Sequence, residues 1–259
     1  MHASGTQPGP SRKAEPTFKD PSHRSGAAQA FTRDAARYDA ARPTYPAALA
    51  ELVGDGTVCD VGAGTGKFTQ SLIDGSRDVY ACDPSADMVR VFRSVLPSVP
   101  AWRATAEATG LADNAVDAVT CAQSWHWVDS AAASAEAHRV IRPGGRLVLC
   151  WNTLAVRHPW VLRLSRIMHS GDVQREGFYP TVGDPWRLER ELRHEWLHPI
   201  AVEDCFSLMA TRSYWLKATA RTRAKMEANL SWYLYDRLGF DHGDTVALPY
   251  RTDAFVYAR

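Results

Sequence analysis

The sequence of 259 residues predicts an α/β protein in which helices cover both faces of a mainly parallel sheet. Short apolar runs rich in valine and alanine alternate with segments whose apolar residues recur at helical spacing. A turn with glycine at every second position, Gly62 to Gly66, joins the first strand to a helix, and Asp83 ends the second strand. Such a turn presents free backbone N–H groups at the carboxyl end of a strand, which is typical of nucleotide-like ligands.

Composition narrows the possible classes of function. Hydrophobic residues make up 45% and charged residues 23% of the chain, which is typical of a globular domain. The net charge of +1 gives no electrostatic support for a nucleic-acid partner, and no apolar run reaches the ~18 residues of a membrane span. Five cysteines without a Cys-x-x-Cys pair indicate reduced thiols and no bound metal. The start of the chain lacks an apolar signal segment, so we expect a cytoplasmic protein.

The N-terminal part divides into a tail and two helices. Residues 1–27 are rich in proline, serine and glycine, and they are predicted to be a disordered tail. One folded domain is predicted over residues 28–259. Its first helix ends before Pro43, and its second runs from Ala47 to Val53 after Pro46. We expect both helices to cap the sheet.

The glycine turn after the first strand is compatible with several functions. A phosphate-binding P-loop needs glycine at position 61 and a hydroxyl residue at position 68, but the chain has Val61 and Phe68. A dinucleotide fingerprint places its third glycine one residue beyond Gly66. What remains is an acid, Asp60, before three alternating glycines, which suits a ligand with an ammonium group. A tight turn that binds nothing is the structural alternative.

The pattern Asp60-Val-Gly62-Ala63-Gly64-Thr-Gly66 resembles motif I of the class I S-adenosylmethionine (SAM)-dependent methyltransferases, and in particular their type 11 members. The resemblance implies that Asp60, Gly62, Ala63, Gly64 and Gly66 contact SAM, the cofactor. It also implies a Rossmann-like, doubly wound, seven-stranded sheet of order 3-2-1-4-5-7-6 with an antiparallel strand 7. N-terminal capping helices and an insertion after strand 5 complete the predicted fold.

The second strand, Asp78–Cys82, leads to a candidate ribose-binding residue, Asp83. One carboxylate can accept hydrogen bonds from both adjacent hydroxyls of a ribose, and the position one helix and one strand after the glycines suits that role. We therefore predict that Asp83 binds the ribose of SAM and that Pro84 and Met88 lie beside it. A helix N-cap is the alternative for Asp83.

Ala106 and Glu107 follow the short third strand, Ala101–Ala104. They resemble the Ala-Glu-x-Leu-Pro segment that meets the adenine in the same family. The chain has Thr109-Gly110-Leu111 where the family has its Leu-Pro pattern, so a looser turn is expected at this point. The resemblance implies that Ala106 and Glu107 border the adenine of SAM.

The fourth strand, Val116–Ala122, leads into Gln123-Ser-Trp125-His126-Trp127. This stretch resembles the Gln-x-x-His-Trp-x-Asp segment of a methyltransferase subgroup that includes trans-aconitate methyltransferases. The resemblance places Gln123 at the methionine end of SAM and Trp125, His126 and Trp127 in the substrate pocket. His126 is the candidate catalytic base, and a hydrogen-bonded pocket wall is the favoured alternative.

The segment Tyr38-Asp-Ala-Ala-Arg42-Pro-Thr-Tyr45-Pro also resembles that subgroup, in which it lies over the cofactor site. The resemblance implies that Tyr38 contacts SAM, that Arg42 pairs with the SAM carboxylate and that Tyr45 lines the substrate pocket. Plain packing of a capping helix is the alternative for the two tyrosines, and a surface position is the alternative for Arg42.

The chain departs from regular alternation after the fifth strand, Arg146–Asn152. Residues 153–192 are predicted to form an insertion that walls the substrate pocket, lined by Phe178, Tyr179 and Trp186. The other predicted elements are a sharp reversal at 142–145, a sixth strand at 192–199, helices at 202–211 and 218–234, and a seventh strand at 245–258, which Pro249 splits or places at a sheet edge.

The resemblance implies methyl transfer from SAM to a small-molecule acceptor, with S-adenosylhomocysteine (SAH) as the second product. A carboxylate or hydroxyl oxygen is the expected acceptor atom, and we expect no nucleic-acid or membrane partner and a monomer or homodimer. A SAM-binding protein without catalysis, with a regulatory or assembly role, is the alternative from another class. A nicotinamide-dependent oxidoreductase is disfavoured because the third glycine comes one residue early.

Overall fold

The computed structural model describes residues 42–170 and 177–259. The predicted tail, residues 1–27, the first capping helix and Tyr38 lie outside these residues, as does a short part of the predicted insertion. The second capping helix is present as α1, Ala48–Val53.

Seven strands form one sheet. They are β1 (Gly56–Val61), β2 (Arg77–Asp83), β3 (Ala101–Arg103), β4 (Val116–Ala122), β5 (Ile141–Leu154), β6 (Arg187–Ala201) and β7 (Thr245–Ala258). Their order is β3-β2-β1-β4-β5-β7-β6, as the resemblance implied. Strands β1 to β5 pair in parallel, and β7 runs antiparallel to both β5 and β6. The order reverses between β1 and β4, so the crevice at their carboxyl ends is the expected ligand site.

Helices cover both faces of this sheet. Besides α1 they are α2 (Thr69–Leu72), α3 (Ala86–Val95), α4 (Ser130–Val140), α5 (Pro159–Ile167), α6 (Asp204–Ala210), α7 (Ser213–Lys217) and α8 (Ala220–Ser231). One core cluster joins the sheet to α1, α2 and α3, and a second joins the opposite face to α4. Within the described ranges, no helix has both the length and the apolar character that crossing a bilayer requires.

Strand β6 is longer than predicted, whereas β7 has the predicted bounds, and the paired ends of both strands extend beyond β5. The β6 strand begins at Arg187, five residues before the predicted start. Helices α5, α6 and α8 pack on this extension through a third core cluster, which includes Leu154, Ile200 and Leu248. The predicted helix at 218–234 is α8 followed by a π-helical turn, Trp232–Arg237.

The prediction that Pro249 splits the last strand is wrong. Strand β7 is continuous and lies between β5 and β6, and Pro249 pairs with Leu197 of β6. The carbonyl of Pro249 accepts from the N–H of Ala155, just past the end of β5. Because the nitrogen and carbonyl of one strand residue face the same neighbour, the missing N–H of Pro249 points to where β5 has ended. The proline therefore removes no bond to β6, and β7 is a local edge there.

The predicted reversal at residues 142–145 is a bulge within β5. Helix α4 ends at Val140, and the strand begins at once with Ile141. Val116 pairs with Ile141 and Ala118 pairs with Arg146, so five steps on β5 match two steps on β4. The extra residues bend the strand as it enters the sheet.

Candidate functional site

The glycine loop after β1 is tied to neighbouring strands through its backbone. The N–H groups of Gly62 and Ala63 donate to the carbonyl of Cys82, at 2.8 and 3.1 Å. Gly62 has a φ of 67°, and a Cβ at this position would lie 2.3 Å from Ser124 Oγ. Only glycine therefore lets the loops after β1 and β4 come this close. A Cβ at Gly64 would meet no described atom within 4 Å, which leaves room for a ligand beside the loop.

Gly66 has a different environment from the other two glycines. A Cβ on Gly66 would lie 2.7 Å from Leu96 and 3.0 Å from Phe92, which both pack from the α3 side. The absence of a side chain at Gly66 therefore allows close packing of the loop on α3. The predicted contact between Gly66 and SAM stays a prediction.

Asp83 at the end of β2 holds the glycine loop and keeps acceptor capacity for a ligand. Its Oδ2 accepts from the N–H of Gly64 at 2.9 Å, and its Oδ1 accepts from the N–H of Ser85 at 2.8 Å. Burial raises the pKa of Asp83, and these two backbone bonds oppose that rise. Each carboxylate oxygen retains a further lone pair, which suits the two hydroxyls of a ribose. Pro84 beside it is exposed, and Met88 is buried in α3.

Asp60 lies beneath the loop and has no exposed surface. Its two oxygens accept from the hydroxyls of Thr69 and Thr120, at 2.6 and 2.9 Å. Burial raises the pKa of Asp60 to about 6, and the two hydroxyl bonds oppose this rise. The arrangement supports a role in fixing the loop between α2 and β4, and the predicted contact of Asp60 with the SAM ammonium group stays a prediction.

Asp60→Asn is expected to change how stability depends on pH. The pKa of Asp60 is about 6 in the folded protein against an ordinary 3.8, so the folded state holds its proton more tightly than the unfolded chain. Ionisation of Asp60 therefore lowers stability as pH rises from about 4 to about 6, by roughly 3 kcal/mol, and the loss persists above pH 6. Asparagine carries no charge and removes this fall. Urea unfolding of both proteins between pH 4 and pH 7.5 measures it, and a difference that is constant with pH contradicts the prediction.

The expected adenine side of the crevice is held by two carboxylates. Glu107 Oε1 accepts from the N–H of Asp129 at 2.8 Å, and Ala106 is buried. The following turn is fixed by Glu136 of α4, whose Oε1 accepts from both the N–H and the hydroxyl of Thr109. Glu136 therefore fixes the turn that was expected to be looser than in the family.

Gln123 presents a buried acceptor at the carboxyl end of β4. The residue has a φ of 56°, and its backbone N–H donates to Cys150 O at 2.9 Å. Its side-chain Nε2 donates to Asn152 O at 2.6 Å. Its Oε1 is buried and has no hydrogen-bond partner within the described ranges. An unsatisfied buried acceptor costs free energy unless a ligand supplies a donor, and the ammonium group of SAM is such a donor.

Residues 42–46, which we call the bridging segment, contact both β5 and Phe68, which follows the glycine loop after β1. The carbonyl of Thr44 accepts from Asn152 Nδ2 at the end of β5, at 3.0 Å. The ring of Tyr45 lies 5.0 Å from that of Phe68, which follows the glycine loop, and meets it edge-on. Arg42 Nη2 donates to Thr211 O at 3.5 Å. These contacts join the segment to β5 and to the residue that follows the glycine loop, while its position over the cofactor site and the ligand contacts of Arg42 and Tyr45 stay predictions.

His126 is held by a tryptophan that the sequence analysis did not single out. Nδ1 of His126 accepts from Trp151 Nε1 at 3.3 Å, and the His126 ring lies 4.8 Å from that of Trp127. A ring that accepts at Nδ1 carries its proton on Nε2 when neutral. His126 is therefore arranged to donate from Nε2, which supports the pocket-wall alternative over a general base.

The described part of the insertion packs on the β5–β7 face beside this histidine. The ring of Phe178 lies 5.3 Å from that of Trp151, and Tyr179 is 52% exposed beside Phe255. Trp125 is buried and donates from Nε1 to Thr181 O at 2.9 Å, so it fastens this segment to the β4 loop. The predicted contacts of Phe178, Tyr179 and Trp125 with a substrate stay predictions.

The prediction that Trp186 lines the pocket is wrong. Trp186 is 3% exposed, and its Nε1 donates to the carbonyl of Ser134 in α4 at 3.0 Å. Its ring packs in the core on the α4 face of the sheet. It therefore anchors the end of the insertion.

Sequence reasoning also missed a buried ion cluster at the insertion. Asp253 of β7 has no exposed surface and accepts from Arg251 at 2.8 Å, and Arg193 of β6 lies 3.1 Å away. Arg193 also donates to Phe178 O at 2.9 Å and stacks over the Phe255 ring. These contacts hold the segment that carries Phe178 against the sheet. Within the described ranges, no cluster of three histidine, cysteine or acidic residues suits a metal ion.

Comparisons with known proteins agree with this geometry. Residues 59–149 match the type 11 family whose description is "Methyltransferase domain". An uncharacterised methyltransferase of Mycobacterium tuberculosis is 38% identical over 219 residues, which are 83% of this chain and 89% of the relative. An uncharacterised methyltransferase-like protein of Schizosaccharomyces pombe is 30% identical over 241 residues, 87% of this chain and 93% of its own.

A solved structure shows the same fold over most of both chains. It is assigned as a type II methyltransferase from Anaeromyxobacter dehalogenans, with 25% identity and a TM-score of 0.62. The match covers 84% of this chain and 97% of that one. The fold implies SAM as the methyl donor, and the open space at Gly64 and the buried acceptor of Gln123 fit it. Given relatives that match four fifths of its length and a sheet of the same order, the chain belongs to the class I methyltransferases with a type 11 methyltransferase domain.

Proposed function

We propose that this enzyme transfers a methyl group from SAM to an oxygen of a small-molecule acceptor, with a carboxylate favoured over a hydroxyl. The observation that carries the cofactor half of the proposal is the presence of acceptors at the ends of β2 and β4, the two strands that flank β1. Gln123 Oε1 is buried without a donor after β4, and the Asp83 carboxylate after β2 keeps free lone pairs. A ligand with an ammonium group at one end and a ribose further along satisfies both.

Each predicted contact has a distinct physical role in this proposal. Asp83 accepts the ribose hydroxyls, Gln123 accepts from the ammonium group, and Ala106 and Glu107 border the adenine. The bound cofactor supplies an electrophilic methyl group on a sulfonium. The chain then has to orient donor and acceptor, and to exclude water with aromatic side chains such as Trp127.

The hydrogen bond that His126 accepts from Trp151 supports a carboxylate acceptor. A hydroxyl or phenol needs a base to take its proton, whereas a carboxylate attacks without one. Nδ1 of His126 is engaged by the Trp151 indole, so the neutral ring offers an Nε2–H donor and not a free lone pair. Such a donor suits the second oxygen of a carboxylate. Membership of the subgroup that includes trans-aconitate methyltransferases, which act on a small carboxylic acid, stays a prediction.

His126→Ala is expected to lower turnover less than about tenfold and to leave the shape of the pH–rate profile between pH 6 and pH 9 unchanged. The reason is that His126 orients the acceptor without taking a proton, whereas loss of a general base costs ~10²–10⁴-fold. Steady-state rates at saturating SAM measure the effect. A collapse of the rate together with loss of a titration near neutral pH establishes the base role instead.

We also propose that no nucleic acid, membrane or metal takes part and that the enzyme acts in the cytoplasm as a monomer or homodimer. The net charge of +1 supports the first point, because it provides no basic surface excess for phosphates. A non-catalytic SAM-binding role is disfavoured, since the relatives over most of the chain carry methyltransferase names.

Titration with SAH by calorimetry, followed by an acceptor screen, tests the proposal. Binding of SAH together with SAH production from SAM and a small carboxylic acid supports it. Turnover only with phenols, alcohols or amines overturns the carboxylate assignment. Absence of SAH binding by folded protein overturns the cofactor site.

A further inference from the structure

We propose that Asn152 is a positioning residue that holds the bridging segment over the crevice and orients the Gln123 amide at the same time. Asn152 lies in the buried part of β5, two residues before the strand ends, and is 3% exposed. Its side chain binds the segment and its backbone carbonyl binds Gln123. The inference rests on membership of the methyltransferase family and on the described contacts. Its first readout, hydrogen exchange, does not depend on the identity of the methyl acceptor.

The side-chain bonds form a chain with one direction. Trp196 Nε1 donates to Thr252 Oγ1 at 2.9 Å, because an indole nitrogen has no acceptor function. The Thr252 hydroxyl then donates its own hydrogen to Asn152 Oδ1, at 2.6 Å. The amide of Asn152 therefore turns its Nδ2 toward the carbonyl of Thr44, at 3.0 Å. Thr252 has no exposed surface, so water does not replace it in the relay.

The backbone of Asn152 sets the orientation of the second amide. Its carbonyl accepts from Gln123 Nε2 at 2.6 Å, which occupies the donor end of that side chain. The acceptor end, Oε1, is then left buried and available to a ligand donor. A shift of Asn152 consequently disturbs both the bridging segment and the proposed ammonium site.

Only an amide fits the side-chain position of Asn152. Aspartate accepts from Thr252 but sets a carboxylate oxygen against the carbonyl of Thr44. Leucine has similar size and makes neither bond. Thr252→Val and Trp196→Phe keep Asn152 and remove hydrogen bonds further along the relay from Trp196 to Thr44. The expected order of effect follows from this: Asn152 variants act most strongly, then Thr252→Val, then Trp196→Phe.

The test combines hydrogen exchange of the bridging segment with SAH affinity in the full-length protein. We expect Asn152→Asp and Asn152→Leu to speed backbone exchange across residues 43–49 in the ligand-free protein and to weaken SAH binding about tenfold, the loss of roughly one well-placed hydrogen bond. Thr252→Val is expected to do both to a smaller extent. Because aspartate matches asparagine in size, a loss in Asn152→Asp as large as that in Asn152→Leu separates hydrogen bonding from size.

Trp186→Phe is the matched control, because it also deletes an indole bond of a largely buried tryptophan, but to Ser134 on α4. It is expected to lower stability without changing exchange over 43–49 or SAH affinity. Equal exchange and SAH affinity within twofold of wild type in folded Asn152 variants overturn the proposal. If those variants do not fold, unchanged exchange and affinity in Thr252→Val and Trp196→Phe overturn it. A wild-type protein that does not bind SAH overturns the cofactor proposal. The hydrogen-exchange result still tests whether Asn152 holds the bridging segment.

Discussion

Asp83→Ala is expected to lower the affinity for SAH at least about 100-fold while the protein stays folded. Two hydrogen bonds from ribose hydroxyls to a charged acceptor are lost, and such bonds contribute roughly 1.5–3 kcal/mol each. The N–H groups of Gly64 and Ser85 lose their acceptors too, so the glycine loop is held less firmly. Calorimetric titration with SAH measures the affinity, and a thermal melt checks the fold.

Asp87→Ala is the matched control for this prediction. Asp87 lies in the first turn of α3, its side chain is 47% exposed, and it pairs with Arg90. The substitution makes the same change of charge four residues away and is expected to leave SAH binding unchanged. Asp83→Asn, which keeps an acceptor oxygen without the charge, is expected to fall between the two. SAH binding by Asp83→Ala within threefold of wild type removes Asp83 from the ribose site.

The glycine loop and Asp83 were predictable because their signals are local. Alternating glycines between a strand and a helix restrict the backbone within a few residues, and the acid follows one helix and one strand later. The order of the sheet was predictable only through the family resemblance. Periodicity marked where most strands lie, but it did not predict the length of β6 or the continuity of β7.

The supports of the site were not predictable, because they join distant parts of the chain. Thr44, Asn152, Trp196 and Thr252 form one relay only because β5, β7 and β6 are neighbours in that order. Likewise, nothing near Asp60 in sequence indicates that the hydroxyl of Thr120 on β4, sixty residues away, donates to its carboxylate. Such contacts depend on the order and register of the strands, which cannot be read from the residues at individual positions.

The aromatic residues show a second limit. Trp125, Trp186 and Tyr45 were all expected near a ligand. Trp186 packs in the core instead, whereas the ligand contacts of the buried Trp125 and of Tyr45, which meets Phe68 edge-on, stay predictions. An aromatic ring beside a predicted crevice serves equally as core, and its direction depends on the loop backbone. Trp186 points into the core, where its indole N–H donates to a carbonyl of α4. Whether such an aromatic side chain lines a pocket or packs in the core therefore depends on the buried groups that it contacts.

Gly145→Ala is expected to destabilise the protein by about 3 kcal/mol or more, through overpacking at the bulge of β5. An added Cβ would lie 2.3 Å from the carbonyl oxygen of Asp117 and 2.5 Å from Ile141 Cγ2. The backbone of β4 cannot easily yield there. Asp117 Oδ2 accepts from the N–H of Thr57 on β1 at 2.8 Å and from Arg142 at 2.7 Å, so movement breaks both bonds.

Gly144→Ala separates this clash from backbone strain. Gly144 has a φ of 81°, but a Cβ on it would meet no described atom within 4 Å. Its cost is therefore the left-handed backbone alone, about 1 kcal/mol. Urea unfolding of both variants measures the two free energies. Equal losses contradict the clash at Gly145, whereas a larger loss at 145 shows that the close approach of β5 to β4, and not the left-handed backbone, is the main reason for glycine in the Arg-Pro-Gly-Gly stretch.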